Sequence, residues 1–352
     1  MAGTIIITGA NGSLAIPAVA YLLSNYPDYT AILTVRNASE DDANTTALRA
    51  VISRHPQAKA DILELDLSVL SAVHDFTKSI SKKIDNGTYP KLASIVCNAF
   101  WWSLTSDAPV LSADGYEKSV QVNHISHAAL VLRLLTHFEP AGGRIVTLSS
   151  EAHVPGKATF EQIPPRIPDD LDSLVKPPVE ASYPPGRPFQ RYGNSKLAVV
   201  MWTHALNRRL VQVSPPQAVS CACFFRSHTR FQHPNLGKIN AIAMDPGSLV
   251  DSRALTTNTS PNFWYLQKLV LQPFRPLLRL VNPAIRNAAE ASPTLIDLAI
   301  QQAHPGERGH FELGEKMESS TDSLNVEKQD LLWEKTLEWA GLTSEEVRDL
   351  VQ

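Results

Sequence analysis

A doubly wound α/β fold, a parallel sheet with helices on both faces, is predicted by three features of this chain. Short β-branched runs alternate with longer amphipathic stretches along most of its length. Several of those runs are apolar nearly throughout, as strands covered on both faces should be. The first of them, Ile5-Ile6-Ile7, leads straight into TGANGSLA at 8–15, a glycine turn between a strand and a helix start.

Taken in order, strands are expected at about 4–8 (TIIIT), 31–36 (AILTVR), 61–67 (DILELDL), 94–99 (SIVCNA), 144–149 (RIVTLS) and 239–244 (INAIAM), with a last short one near Gly309–Leu313. Helical periodicity falls between them near 13–25, 41–54, 68–84, 113–138 and 191–212. Together these make a single domain over 1–352, interrupted three times. Residues 154–190 are rich in proline and lack a sustained period, and residues 252–300 form a second, mostly helical insertion. Both are expected beyond the carboxyl ends of strands, as a lid over a ligand crevice. Residues 211–237 mix Pro, Cys, Phe, His and Arg without amphipathic order. They read either as a variable surface loop or as translated intron sequence, and no chemistry is assigned to His228, His233, Cys221 or Cys223.

The 352 residues are 43% apolar and 19% charged, with a formal net charge of −3. That balance argues against a nucleic-acid partner, which would favour a basic face. Cys97, inside an apolar run, is expected as a buried thiol, and the Cys221/Cys223 spacing fits neither a metal clip nor a redox pair. No metal is expected. The first strand begins near residue 4, leaving no room for a signal peptide, so a cytoplasmic location is expected and Asn37-Ala38-Ser39 is not expected to be glycosylated. The most apolar late stretch, Leu266 to Ile285, carries Lys268, Arg275 and Arg279 and three prolines, which excludes a membrane span.

The chemistry centres on Tyr192-Gly193-Asn194-Ser195-Lys196. A spacing of four puts Tyr192 and Lys196 on one helix face. A phenol ionises near pH 10, and a nearby ammonium moves it toward neutrality, where acid–base catalysis is efficient. Upstream, the strand RIVTLS ends in Ser149-Ser150, whose hydroxyls could polarise a carbonyl or cap the strand end. Asn123 is embedded in the helix SVQVNHISHAALVLRLL, where asparagine needs a reason: a functional one, or that of a satisfied core amide. His124 and His127 are one turn apart and more readily pack than bind metal. Phe100-Trp101-Trp102 are core aromatics or a pocket wall. Arg36, at the end of the second strand, is a surface arginine or a partner for a ribose 2′-phosphate.

Glycine turn, strand-end serine, helical asparagine and YxxxK together resemble the short-chain dehydrogenase/reductase family, whose fold is Rossmann-like, over roughly residues 4–250. The resemblance implies Tyr192 as acid/base, Lys196 as its partner and a ribose ligand, Ser150 as the group orienting the carbonyl, and Asn123 as holder of a water between Lys196 and solvent. It places the cofactor on Thr8, Gly9, Asn11, Ser13 and Leu14, on Arg36, on the pairs Asp66-Leu67 and Asn98-Ala99, and on Pro246-Gly247. Arg36 in place of an acidic residue favours NADP(H). The first loop departs from the family's TGxxxGxG at Ser13 and Ala15, and Phe100 replaces a turn glycine.

The expected function is thus an NADPH-dependent oxidoreductase moving hydride between nicotinamide and the carbonyl or hydroxyl of a bulky apolar small-molecule substrate. The 154–190 insertion is similar to those of retinol-dehydrogenase-like members. YGNSKLA and DPGSLVDSRAL look like fungal secondary-metabolism reductases of polyketide or terpenoid intermediates. The alternative is a non-redox isomerase or dehydratase using the same tyrosine. A monomer or homodimer is expected.

Overall fold

The computed structural model describes residues 2–180, 182–211, 235–342 and 346. Most of the 211–237 segment, with Cys221, Cys223, His228 and His233, lies outside the described residues. Among the described residues there are ten strands: β1 (Thr4–Ile7), β2 (Thr30–Val35), β3 (Lys59–Glu64), β4 (Leu92–Cys97), β5 (Gly143–Leu148), β6 (Ile239–Asp245), β7 (Ser248–Leu249), β8 (Ile285–Arg286), β9 (Gly309–Glu312) and β10 (Glu315–Met317). Eight build one sheet in the order β10-β9-β6-β5-β4-β1-β2-β3, all parallel except the β9–β10 pair. The doubly wound α/β expectation holds.

The sheet has two buried faces because its strands alternate between them. Ile6, Ile32, Ile95 and Ile145 join one core with helices Leu70–Asp85, Ser126–Leu134, Arg187–Val211 and Val326–Trp339. Ile5, Ile7, Leu33, Val96 and Val146 turn the other way, toward helices Ala15–Asn25 and Ala288–Ala299. A run such as Ile5-Ile6-Ile7 therefore has no solvent side. β3, at the edge, starts at Lys59 rather than 61 because Lys59 pairs with Thr30. It ends at Glu64, just before Asp66 turns the chain by accepting from the Ser68 amide at 2.8 Å.

The strand order reverses between β1 and β4, and the loops after those two strands face each other across the crevice where such sheets bind ligands. The helix bearing Asn123 is a composite. Lys118–Val120 and Ser126–Leu134 are α-helical, and between them Gln121–Ile125 widens into a π turn, a feature concentrated at functional sites.

Two sequence expectations need correcting. The second insertion closes before residue 300: it is framed by β7 and β8, which pair in parallel as a separate two-stranded sheet, and the chain then enters Ala288–Ala299. That helix starts with an Asn287/Glu290 capping box and buries Leu295, Ile296 and Leu298, so it belongs to the core rather than to a lid. The helix Val326–Trp339 was not expected. It packs on Arg187–Val211, with Trp333 stacked on Trp202 at 6.0 Å and Arg209 over the Trp333 ring at 4.2 Å.

Buried histidines tie these layers together. His124 bonds Thr336 at 2.8 Å, and His204 bonds Ser319 at 2.9 Å. Burial pushes His127 and His204 down to about 4 and His124 and His310 down to about 3. An unfolded chain takes up those protons near pH 6.5 and the folded one only well below it. The unfolded state therefore binds more protons in that window, and stability falls as pH falls through it. The melting temperature is expected to be level above pH 6.5 and to drop steadily from pH 6.5 toward 4, with a shallower drop for His204→Gln. A scanning-calorimetry profile flat between pH 7 and 5 would contradict this.

Candidate active site

The first loop keeps its glycines where the backbone requires them. Gly9 has φ +60°, and a Cβ on it would meet Ala99 Cα at 2.9 Å; a Cβ on Gly12 would meet the Gly9 carbonyl at 2.9 Å. Gly12, one residue before Ser13, thus supplies the close backbone turn. The helix Ala15–Asn25 begins at Leu14 without a side-chain cap; the Ile16 amide is taken by the Gly12 carbonyl at 3.0 Å and Pro17 has none, so of its first turn the Ala15 amide is the one left for an anion. Ser13 Oγ accepts the Arg253 amide at 3.0 Å, and the Arg253 guanidinium donates to the Asn11 carbonyl. A segment 240 residues away in sequence therefore closes the cradle. The Asn11 amide donates to Thr45 Oγ1 at 3.0 Å.

From beneath, the Asn98 amide donates to the carbonyls of Thr8 (2.9 Å) and Gly9 (3.1 Å). Thr8 is fully buried. Its hydroxyl accepts the Ala99 amide at 3.0 Å and lies 2.9 Å from His127 Nε2, while His127 Nδ1 lies 3.2 Å from the Asn123 carbonyl. The carbonyl can only accept, which assigns the ring proton to Nδ1 and makes the Thr8 hydroxyl the donor to Nε2. Thr8 and Asn98 shape the cradle with their side chains turned into the protein.

The Asn123 side chain clasps the backbone of Trp101, accepting from its amide at 2.7 Å and donating to its carbonyl at 3.0 Å, and it also donates to Ser195 Oγ at 2.9 Å. One turn along, Tyr192 and Lys196 share a face as expected, with Lys196 Nζ 5.7 Å from the Tyr192 ring centre. Lys196 is buried and donates to the Leu148 carbonyl at the end of β5 at 2.7 Å. Burial pushes it down to about 8, against the pull of Asp245. Burial raises the Tyr192 phenol, and a hydrogen bond with the Ser150 side chain draws it part-way back. Ser150 also caps the short turn Glu151–His153 by accepting the Ala152 amide at 3.3 Å.

Rings enclose the tyrosine. Trp102 meets it edge-on at 5.3 Å, with Phe189 at 6.0 Å and Phe100 at 6.3 Å. Phe100 and Trp102 are thus wall residues, whereas Trp101 packs against the main core. Both insertions reach this wall. Trp102 Nε1 donates to the Ala254 carbonyl at 3.1 Å, and Phe160 packs on Phe189 at 6.1 Å and on Phe263 at 5.2 Å.

Asp245, which precedes Pro246-Gly247, is buried and raised above the usual carboxylate range by that burial, while its Oδ1 accepts the Gly247 amide at 2.8 Å. Gly247 has φ +87°, and a Cβ there would meet the Ala284 carbonyl at 2.6 Å. Farther out, Arg36 is exposed at the end of β2, Asp66 holds Ser68, and the Leu67 carbonyl accepts Ser126 Oγ at 2.6 Å. Sequence reasoning missed Arg253, Phe189 and the carboxylate of Asp245. Asp245 sat in the quoted DPG turn, but nothing in the sequence places Arg253 beside residues 11–13.

A family model described as the AcuH dehydrogenase domain matches residues 253–348. The short-chain dehydrogenase iccH of Talaromyces variabilis is 27% identical over 97% of this chain and 96% of its own length. The dehydrogenase acuH of Aspergillus aculeatus is 44% identical over 26% of this chain and 93% of its own length. The chain belongs to the short-chain dehydrogenase/reductase family. Among solved structures, a short chain dehydrogenase from Burkholderia cenocepacia in complex with NADP shares the fold at a TM-score of 0.53 and 16% identity, over 89% of this chain and 98% of that one. Within this member of the family, the first insertion packs onto the helix that carries the tyrosine and lysine, and the second meets the aromatic wall through Phe160 and Trp102.

Gly193 shows how tightly the first insertion is seated. A Cβ there would meet the Ala152 carbonyl at 2.8 Å and Pro165 Cβ at 3.2 Å. Gly193→Ala is expected to cost about 1–3 kcal/mol in urea unfolding through overpacking. Unchanged stability would show that the 154–190 segment does not bear on the helix there.

Proposed function

We propose that this oxidoreductase uses NADP(H) and interconverts a carbonyl and a hydroxyl on a bulky apolar substrate, of the size of a polyketide or terpenoid intermediate. The observation that carries the reading is the convergence of Tyr192, Lys196 and Ser150 inside an aromatic enclosure beside an uncapped helix start.

The residues present fit a dinucleotide. The Ala15 amide at the start of Ala15–Asn25 suits a pyrophosphate oxygen, the Gly9 and Gly12 backbone leaves room for its approach, and the Arg253 guanidinium at the loop adds a cation. Arg36 is exposed where a ribose 2′-phosphate would need a cation. Pro246-Gly247 close the nicotinamide end. The bound cofactor supplies or accepts a hydride.

In the reduction direction the chain's own task is to hold a proton on Tyr192 and deliver it to the developing alkoxide. Burial keeps the phenol protonated at neutral pH, the Ser150 hydrogen bond eases its ionisation, and Lys196, 5.7 Å from the ring centre, is the cation that would offset the phenolate left behind. The Ser150 hydroxyl is placed to bond the same oxygen. Asn123 holds Trp101, and through it the loop that carries Phe100 and Trp102, against the tyrosine. The aromatic walls favour a large apolar substrate and keep water from the transfer.

Tyr192→Phe is expected to lower turnover of a bulky apolar ketone by about 100- to 10,000-fold while NADPH still binds. Following absorbance at 340 nm (roughly, the reduced-nicotinamide band) during turnover by the wild type separates the readings. Net NADPH consumption supports the reductase, whereas product formation without it would mean an isomerase or dehydratase. Two arginines give contrasting titrations. Arg36→Asp is expected to weaken NADPH about 10- to 100-fold and to spare NADH, and Arg253→Ala to weaken both. An Arg36→Asp variant with unchanged NADPH affinity would sink the cofactor assignment.

A further inference from the structure

Between Asp251 and Glu290 the sequence carries no acidic residue, while Arg253, Lys268, Arg275, Arg279 and Arg286 are basic. The middle of this stretch is the part that the structure lifts away from the core: helix Pro261–Leu266, the π turn Gln267–Leu271 and helix Arg275–Val281. Its outer surface is apolar. Leu277 is 63%, Leu280 82% and Val281 87% exposed, and Trp264, Tyr265 and Leu269 are exposed beside them. An apolar surface this dense, on one excursion of a folded chain, marks an interaction site.

The excursion is held firmly at its base. Glu290 takes Arg275 at 2.6 Å and Arg279 at 3.0 Å, and Gln267 donates to the carbonyls of Val250 and Ser252 at 2.9 and 2.8 Å. These contacts fix helix Arg275–Val281 with its leucines outward. No helix among the described residues is long and apolar enough to cross a membrane, so the excursion can lie on a bilayer but not span it.

Charge decides between the two occupants that could cover such a face. A second copy of this chain in a two-fold interface would set the same basic surface against itself: Glu290 offers one carboxylate to both Arg275 and Arg279, and with Lys268 the face keeps a net positive charge. A bilayer surface bearing anionic headgroups meets it with the opposite sign. Leucines, a Trp-Tyr pair and phenylalanines interleaved with Lys and Arg are the composition of elements that rest in the headgroup region. Lys268 and Arg279, both exposed, carry stems long enough to reach phosphates while their neighbours enter the acyl boundary.

The inner side of the same excursion leads to the tyrosine. Phe263 packs on Phe160, Phe160 on Phe189, and Phe189 on Tyr192, at 5.2, 6.1 and 6.0 Å. We propose that residues 261–281 dock on an anionic lipid surface and draw an apolar substrate from it along this aromatic row. The docking stands on the excursion alone, while its use for delivery rests on the proposed function.

The test is flotation of the full chain with vesicles of phosphatidylcholine, with and without phosphatidylserine, in the absence of cofactor and substrate. The protein is expected to float with the phosphatidylserine vesicles and to be released by added salt. A Leu277→Glu/Leu280→Glu variant, checked for an unchanged melting temperature, is expected to bind at least about tenfold more weakly. Failure of the wild type to float overturns the docking, and so does an apolar face that instead drives self-association abolished by the same variant. Because flotation reads no turnover, docking with no NADPH oxidation would refute the reductase and leave the docking intact. Turnover without flotation would do the reverse.

Discussion

The amide of Asn98 reaches across the crevice between β1 and β4 and bonds the carbonyls of Thr8 and Gly9. Those two strands carry the chain in opposite directions across the sheet, so the loops that follow them have no helix in common to fix their spacing. One side chain does that work, and the Ala99–Thr8–His127–Asn123 series extends it to the π turn. Everything on the nucleotide side is referred to this clasp: the positive φ of Gly9, the start of the first helix and the position of Trp101 under Asn123. The donors and acceptors are buried, so loss of any one leaves its partner without water to replace it.

The reactive pair presents a balance of opposing terms. Burial works against charge on both groups, raising the phenol of Tyr192 and lowering the ammonium of Lys196 to about 8. Asp245, buried nearby, favours the charged lysine and disfavours a charged tyrosine. Both shifts favour the neutral form of their group, and the phenol stays protonated at neutral pH. The rings of Trp102, Phe100 and Phe189 maintain the low polarity on which this depends.

Local pattern made the fold legible. The isoleucine run of β1 and the apolar strands β4, β5 and β6 could only be strands with two covered faces, and the spacing of Tyr192 and Lys196 could only mean one helix face. Contacts made between distant segments left no such trace. Helix Val326–Trp339 depends on partners far away in sequence, the edge strand β10 is three exposed residues paired with its neighbour β9 and carries no apolar pattern, and the core helix Ala288–Ala299 merged with the lid because both are apolar and helical. The site divides the same way. Ser150, Tyr192 and Lys196 lie where their motifs placed them, but Thr8 and Asn98 turn inward as scaffold. Ser13, conspicuous for not being glycine, proved to be an acceptor for a residue 240 positions later.

That bond between Ser13 and Arg253 joins the floor of the nucleotide cradle to the root of the apolar excursion. The two therefore share a single ordering cost: whatever stiffens one end leaves less freedom to be lost at the other. If both the proposed cofactor and the proposed lipid surface bind, reciprocity requires that any effect of one on the other's affinity be returned by the same factor. A serine in a glycine's place thus ties the turn after the first strand to a segment 240 residues later, so that a change at either end is felt in the backbone of the other.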